Sequence, residues 1–86
     1  MAKYTVDIKQ SARRELEDLS NSLVARLVPK IGGLAANPRP SGCRKLRGYK
    51  DLWRIRVGNY RVVYFIDDDR KTVSVTRIAH RRDVYE

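Results

Sequence analysis

The 86-residue chain carries 19 Lys and Arg against 10 Asp and Glu, a net charge of +9, with 42% hydrophobic residues and a single cysteine. That length fits one domain spanning residues 1–86 and not two. The lone Cys43 rules out a disulfide framework and a paired-thiol metal site, no apolar run is long enough for a bilayer, and the N-terminus lacks a signal-peptide core; a soluble, cytoplasmic protein with no membrane partner is expected.

The charge is uneven. Residues 1–38 hold six Lys/Arg and four Asp/Glu, a balance of +2, whereas residues 39–86 hold thirteen and six, a balance of +7. Between Arg39 and Arg61 eight basic residues stand against one acid, Asp51. Such a patch repels itself and favours a polyanion, most often nucleic acid.

In chain order, "KYTVDI" (Lys3–Ile8) alternates Tyr4, Val6 and Ile8 with polar residues, the period of a half-buried strand. Ser11 is placed to cap a short helix through Leu19, with Ala12, Leu16 and Leu19 inward. After "SNS" a second helix repeats Leu23, Leu27, Ile31 and Leu34 on one face; Pro29 and Gly32-Gly33 oppose it and predict a bend near Pro29. "NPRPSG" (Asn37–Gly42) forms a loop. From Arg44 the chain reads as strands: a short "RKLRG", the pair "LWRIRV" and "YRVVYFI", a turn at "DDDR" (Asp67–Arg70), "TVSVTRIAH" (Thr72–His80), and a tail "RRDVYE". The acid run Asp67–Asp69 is the composition of a solvated turn more often than of a metal site. One strand, two helices and a four-strand meander predict an α+β fold with both helices on one face of a mainly antiparallel sheet.

The pair of strands around Gly58-Asn59 is the informative stretch. A two-residue turn sets Val57 opposite Tyr60, Arg56 opposite Arg61 and Arg54 opposite Val63. Trp53, Ile55, Val57, Tyr60, Val62 and Tyr64 then share the core face, and Arg54, Arg56 and Arg61 project from the other. Directly opposed like charges destabilise an antiparallel pair. Solvation alone could be served by Lys/Glu pairs that attract, so an all-arginine face points to an anionic occupant. Arginine suits phosphate because its planar fork donates two parallel hydrogen bonds and stays charged. Other catalytic equipment is sparse: there is no phosphate-cradling glycine loop, no Glu between Glu17 and Glu86, and one histidine, His80.

Read together, "KLRG", "WRIRVGNYRVVY" and "HRRDVY" resemble the RelE branch of the RelE/ParE superfamily of bacterial toxins, over nearly the whole chain. The resemblance implies the RelE-like microbial ribonuclease fold. It also implies a toxin of a type II toxin–antitoxin system, an endoribonuclease that cuts mRNA in the ribosomal A site with no cofactor or metal. Its implied partners are a cognate acidic, RelB-like antitoxin and, only as the toxin–antitoxin complex, operator DNA. The catalytic positions it implies are Arg54, Arg56, Arg61, Arg81 and Tyr85, with Arg47 a further RNA contact; Lys45, Lys50 and Arg82 extend the basic surface as further RNA-binding candidates. Arginine is a poor base where some relatives carry lysine. His80 is the candidate proton acceptor because imidazole titrates near neutrality, although a lone strand-end histidine is more often structural. Two other readings remain open: a ParE-like gyrase inhibitor of the same fold, and a non-catalytic RNA-binding protein.

Overall fold

A computed structural model describes residues 3–83. Strand β1 (Thr5–Ile8) leads into helix α1 (Gln10–Glu17) and helix α2 (Asn21–Gly33). Strands β2 (Arg44–Lys45), β3 (Leu52–Val57), β4 (Tyr60–Asp67) and β5 (Thr72–His80) follow, then a 3-10 turn at Arg81–Asp83. The sheet order is β1-β5-β4-β3-β2, with β1 parallel to β5 and every other pairing antiparallel. This is the α+β arrangement the pattern predicts.

Both helices cover one sheet face. Ala12 of α1, Leu27 and Ile31 of α2 and the following Leu34 pack on Ile55, Val57, Val62, Tyr64, Ile66, Val73, Val75 and Ile78. Helix α2 begins where Ser20 Oγ accepts the Leu23 N–H at 3.3 Å, and it is continuous across Pro29. Helix α1 starts earlier than its Ser11 cap predicts: Lys9 takes the cap position, and the Ser11 hydroxyl donates instead to the Thr76 carbonyl at 3.0 Å. Ser11 is thus committed to the sheet, where β5 needs a partner for its own irregularity. That irregularity is a bulge: Val63 pairs with Arg77 and Tyr64 with Val75, leaving Thr76 as the extra residue, its hydroxyl donating to Val63 O at 3.2 Å.

Beyond Val75, β1 no longer flanks β5, and α1 takes over that edge. The Ile78 N–H donates to Glu15 Oε1 at 2.8 Å, and Arg77 lies 3.4 Å from Glu15 Oε2. A side-chain carboxylate here satisfies a strand edge that would otherwise lack an acceptor.

The second sheet face differs from its expected form. A small apolar cluster of Leu46, Val63 and Ala79, with Leu52 against it, occupies its centre. Arg54, expected to project into solvent, is 1% exposed. It sits between Val63 on β4 and Arg44 on β2, where an arginine stem packs along apolar side chains.

Candidate active site

The β3–β4 connection holds the site together. Val57 pairs with Tyr60 across Gly58-Asn59, and Arg56 stands directly opposite Arg61, the register predicted from sequence. Gly58 has φ 61°, the sign that the first central residue of a two-residue type II′ hairpin requires. A Cβ there would lie 3.0 Å from Nη2 of Arg26 on α2, so close approach and backbone both select glycine. After β5 the chain turns back beneath this hairpin, and the Arg81 N–H donates to the Asn59 carbonyl at 2.8 Å. One hydrogen bond therefore brings the third arginine to the first two.

Arg56, Arg61 and Arg81, with Gly58 and Tyr60, line a cavity of about 80 Å³. That is far below the ~300 Å³ at which ligand-sized clefts begin, so it suits a single small anionic group. Among the described residues no carboxylate lines it. Three converging guanidinium groups raise the local potential and present donors in fixed directions, the arrangement that favours a phosphate or a developing oxyanion.

The remaining predicted residues fall into separate places. Arg54 is next along the same face and is buried beside the apolar cluster. Arg47 and Lys50 are exposed in the loop closed by the Leu46 N–H to Leu52 O bond of 2.9 Å, at the opposite end of β3 from the three-arginine cavity. Lys45 pairs with Trp53 and so belongs to the helix side of the sheet. Arg82 is exposed, its backbone N–H donating to His80 Nδ1 at 3.3 Å. His80 pairs with Tyr60 and shares the helix-side face; it does not line the cavity, and its ring stands edge-on to Tyr60 with centroids 5.5 Å apart. Tyr85 lies outside the described residues.

Three residues join the site that the sequence pattern did not single out. Tyr60 reads as pure core by alternation yet lines the cavity. Arg26 reaches the hairpin turn from α2. Arg44 pairs with Arg54, and its only sequence signal was membership of the basic run.

A clasp fixes the 37–43 loop that flanks the sheet edge. Arg39 donates to both carboxylate oxygens of Asp68, at 3.2 and 2.9 Å, and its guanidinium carbon stands 4.9 Å from the Trp53 ring centroid. The Tyr4 hydroxyl donates to the same carboxylate at 2.6 Å. The Arg39 and then the Tyr4 hydrogen bonds hold the Asp68 carboxyl down at about 2. Deeper in, the buried Tyr64 hydroxyl donates to Pro38 O at 2.8 Å, and burial raises its pKa. The aspartate turn is accounted for in the same way: Asp67 Oδ1 accepts the Arg70 N–H at 3.0 Å.

Residues 6–85 match the family described as the ParE toxin of type II toxin–antitoxin systems. Toxin RelG of Mycobacterium tuberculosis is 36% identical over 83 residues, covering 95% of each chain. Among solved structures, the toxin–antitoxin complex RelBE2 of M. tuberculosis superposes with a TM-score of 0.81 at 34% identity, covering 92% of this chain and 99% of that one. The RelE–RelB complex of Pyrococcus horikoshii superposes with a TM-score of 0.82 at 27% identity, covering 98% and 100%. With the strand-helix-helix-meander order and the arginine hairpin already in place, these matches show that the chain belongs to the RelE/ParE superfamily and is a type II toxin of the RelE type.

Proposed function

We propose that this toxin is an endoribonuclease that cuts mRNA, acting in the cytoplasm on the ribosomal A site and so arresting translation. The observation that carries this reading is the convergence of Arg56, Arg61 and Arg81 on one small cavity. In the reaction a ribose 2′-oxygen attacks the adjacent phosphorus, the bond from phosphorus to the 5′-oxygen breaks, and the products are a 2′,3′-cyclic phosphate and a 5′-hydroxyl. The 2′-OH proton leaves to an acceptor and the departing 5′-oxygen gains one. The three guanidinium groups bind the non-bridging oxygens more strongly as charge accumulates on them, which lowers the barrier and supplies without a metal the charge a divalent ion would bring. Arg54 lies next along the same face as a second layer of charge, and Tyr85 is proposed to meet a splayed base or assist proton transfer. Arg47, Lys45, Lys50 and Arg82 contact the RNA or ribosome more widely. We assign the proton acceptor to the ribosome–mRNA complex ahead of His80, because His80 sits behind Tyr60.

The structures named RelBE2 and RelE–RelB are toxin–antitoxin complexes. By extension this toxin is held by an acidic RelB-like antitoxin whose carboxylates answer its +9 charge, and operator DNA is met only by that complex. The match to a family described by its ParE toxin supports a second reading, inhibition of DNA gyrase. Primer extension on a reporter mRNA in a translating extract, with gyrase supercoiling assayed in parallel, separates the two. New 5′ ends that vanish in Arg61→Ala support the ribonuclease; intact mRNA with blocked supercoiling would establish the other reading.

A further inference from the structure

Helix α2 ends in Gly32-Gly33, residues of low helix propensity. Gly33 has no left-handed φ, and a Cβ built on it would meet no atom within 4 Å. Neither backbone nor packing demands a glycine there. What its missing side chain leaves is space: Gly33, with Pro29 and Leu34, forms one wall of a groove of about 660 Å³ whose other walls are the Pro40–Gly42 loop and β3. The β3 wall is a strand edge, since β2 pairs only with Trp53 and Arg54 and no described strand flanks β3 beyond them. Its main-chain groups are therefore available to a ligand.

Four cations, Lys30, Arg44, Arg54 and Arg56, line this groove. Arg56 also lines the three-arginine cavity. The two spaces thus meet at one side chain, and a polyanion anchored in the small cavity has the groove as its next compartment. We propose that the groove holds the nucleotide adjoining the scissile phosphate, making Gly33 and Arg44 determinants of which RNA is bound and where it is cut. The volume falls within the ~300–1,000 Å³ range of small-molecule clefts. Apolar walls for a base face, guanidinium planes for stacking and a strand edge for hydrogen bonds to base edges are the features that recognise unstacked RNA. The inference rests on the ribonuclease reading and extends it from reaction to recognition.

Gly33→Leu fills the groove with a residue that favours helix, and Arg44→Gln removes a cation from an exposed position. Each is compared with wild type by binding of a short fluorescein-labelled single-stranded RNA of mixed sequence, and by primer extension on a reporter mRNA in a translating extract. Thermal melts serve as the fold control. The expected result is a 10- to 100-fold loss in affinity and in kcat/KM, with a smaller change in kcat and an altered base preference beside the cut. Unchanged affinity and an unchanged cut pattern in both variants would overturn the groove assignment and leave the ribonuclease reading standing. Normal cutting combined with escape from a co-expressed antitoxin would overturn it in favour of an acidic peptide on the β3 edge. A wild-type protein that cuts no RNA would remove the ribonuclease reading itself and the groove assignment with it.

Discussion

Replacing Arg56 by alanine should make the protein more stable and less active at once. Arg56 is exposed, so its truncation sacrifices little packing, and it stands directly opposite Arg61. Facing residues on such a ladder have Cβ atoms about 4.5–5.5 Å apart, and cross-strand pairs are worth roughly 0.2–1 kcal/mol, here with the unfavourable sign. Removing one charge should therefore add up to ~1 kcal/mol, or about 4–8 °C in Tm for a domain of this size. The gain is electrostatic and must depend on salt. The screening length falls from about 10 Å at 0.1 M to about 3 Å at 1 M, so wild type and variant should converge in high salt. Activity should move the other way, by about 10²–10³, the usual loss when one preorganised donor to a developing oxyanion is removed. Calorimetry at the two salt concentrations, with primer extension on a reporter mRNA, reads both effects. A variant that melts below wild type at both salt concentrations would show that Arg56 is a structural residue. A variant that cuts within a few-fold of wild type would take it out of the chemistry.

Tyr64→Phe should cost about 1–3 kcal/mol in urea unfolding, because the buried Pro38 carbonyl loses its donor; an unchanged midpoint would mean that this bond contributes nothing net. The Asp68 carboxyl, held at about 2 against an unfolded value near 3.9, contributes stability that is fully present above about pH 4 and lost as pH falls through about 2. Asp68→Asn should flatten that acid limb of the stability profile, and superimposable limbs would dismiss the clasp as a source of stability. His80→Ala should cut within a few-fold of wild type, since the ring lies against Tyr60 on the helix side. A loss of 10²–10⁴ with intact fold and binding would identify His80 as the proton acceptor after all.

The hairpin was legible because three signals agreed: period-2 alternation, a Gly-Asn pair of the right length and a bulky apolar set on one parity. Its register follows residue for residue, from Leu52 opposite Phe65 to Val57 opposite Tyr60. Alternation assigns a side chain to a face but says nothing of what covers that face. Val63, the cross-strand neighbour of Arg54, clusters with Leu46 and Ala79, which are distant in sequence and carry no local mark of meeting it. The face of His80 was hidden for another reason. Strict alternation from Val73 and Val75 would set His80 with Ser74 on the arginine side, but the extra residue at Thr76 exchanges the faces beyond it. The three-residue step from Val75 to Ile78 was the trace of that bulge in the sequence. The α1 start was ambiguous because Ser11 had two uses, and its bond to Thr76 outcompeted the cap. For the site, residue type and resemblance indicated the arginines; their convergence depends on Arg81 meeting Asn59, which no spacing rule predicts.

The parallel pairing of β1 with β5 also has a temporal side. Thr5 lies beside Thr72, so the strand made first waits for the strand made last before it can dock. Pairings between such distant residues form slowly because loop closure precedes any reward. The β3–β4 hairpin, by contrast, is local and can assemble early. Arg81 follows β5 and reaches Arg56 and Arg61 only once that strand is seated. A nascent or partly folded chain thus holds two of the three cavity arginines in place and lacks the third, and the complete constellation appears only with the closing of the sheet.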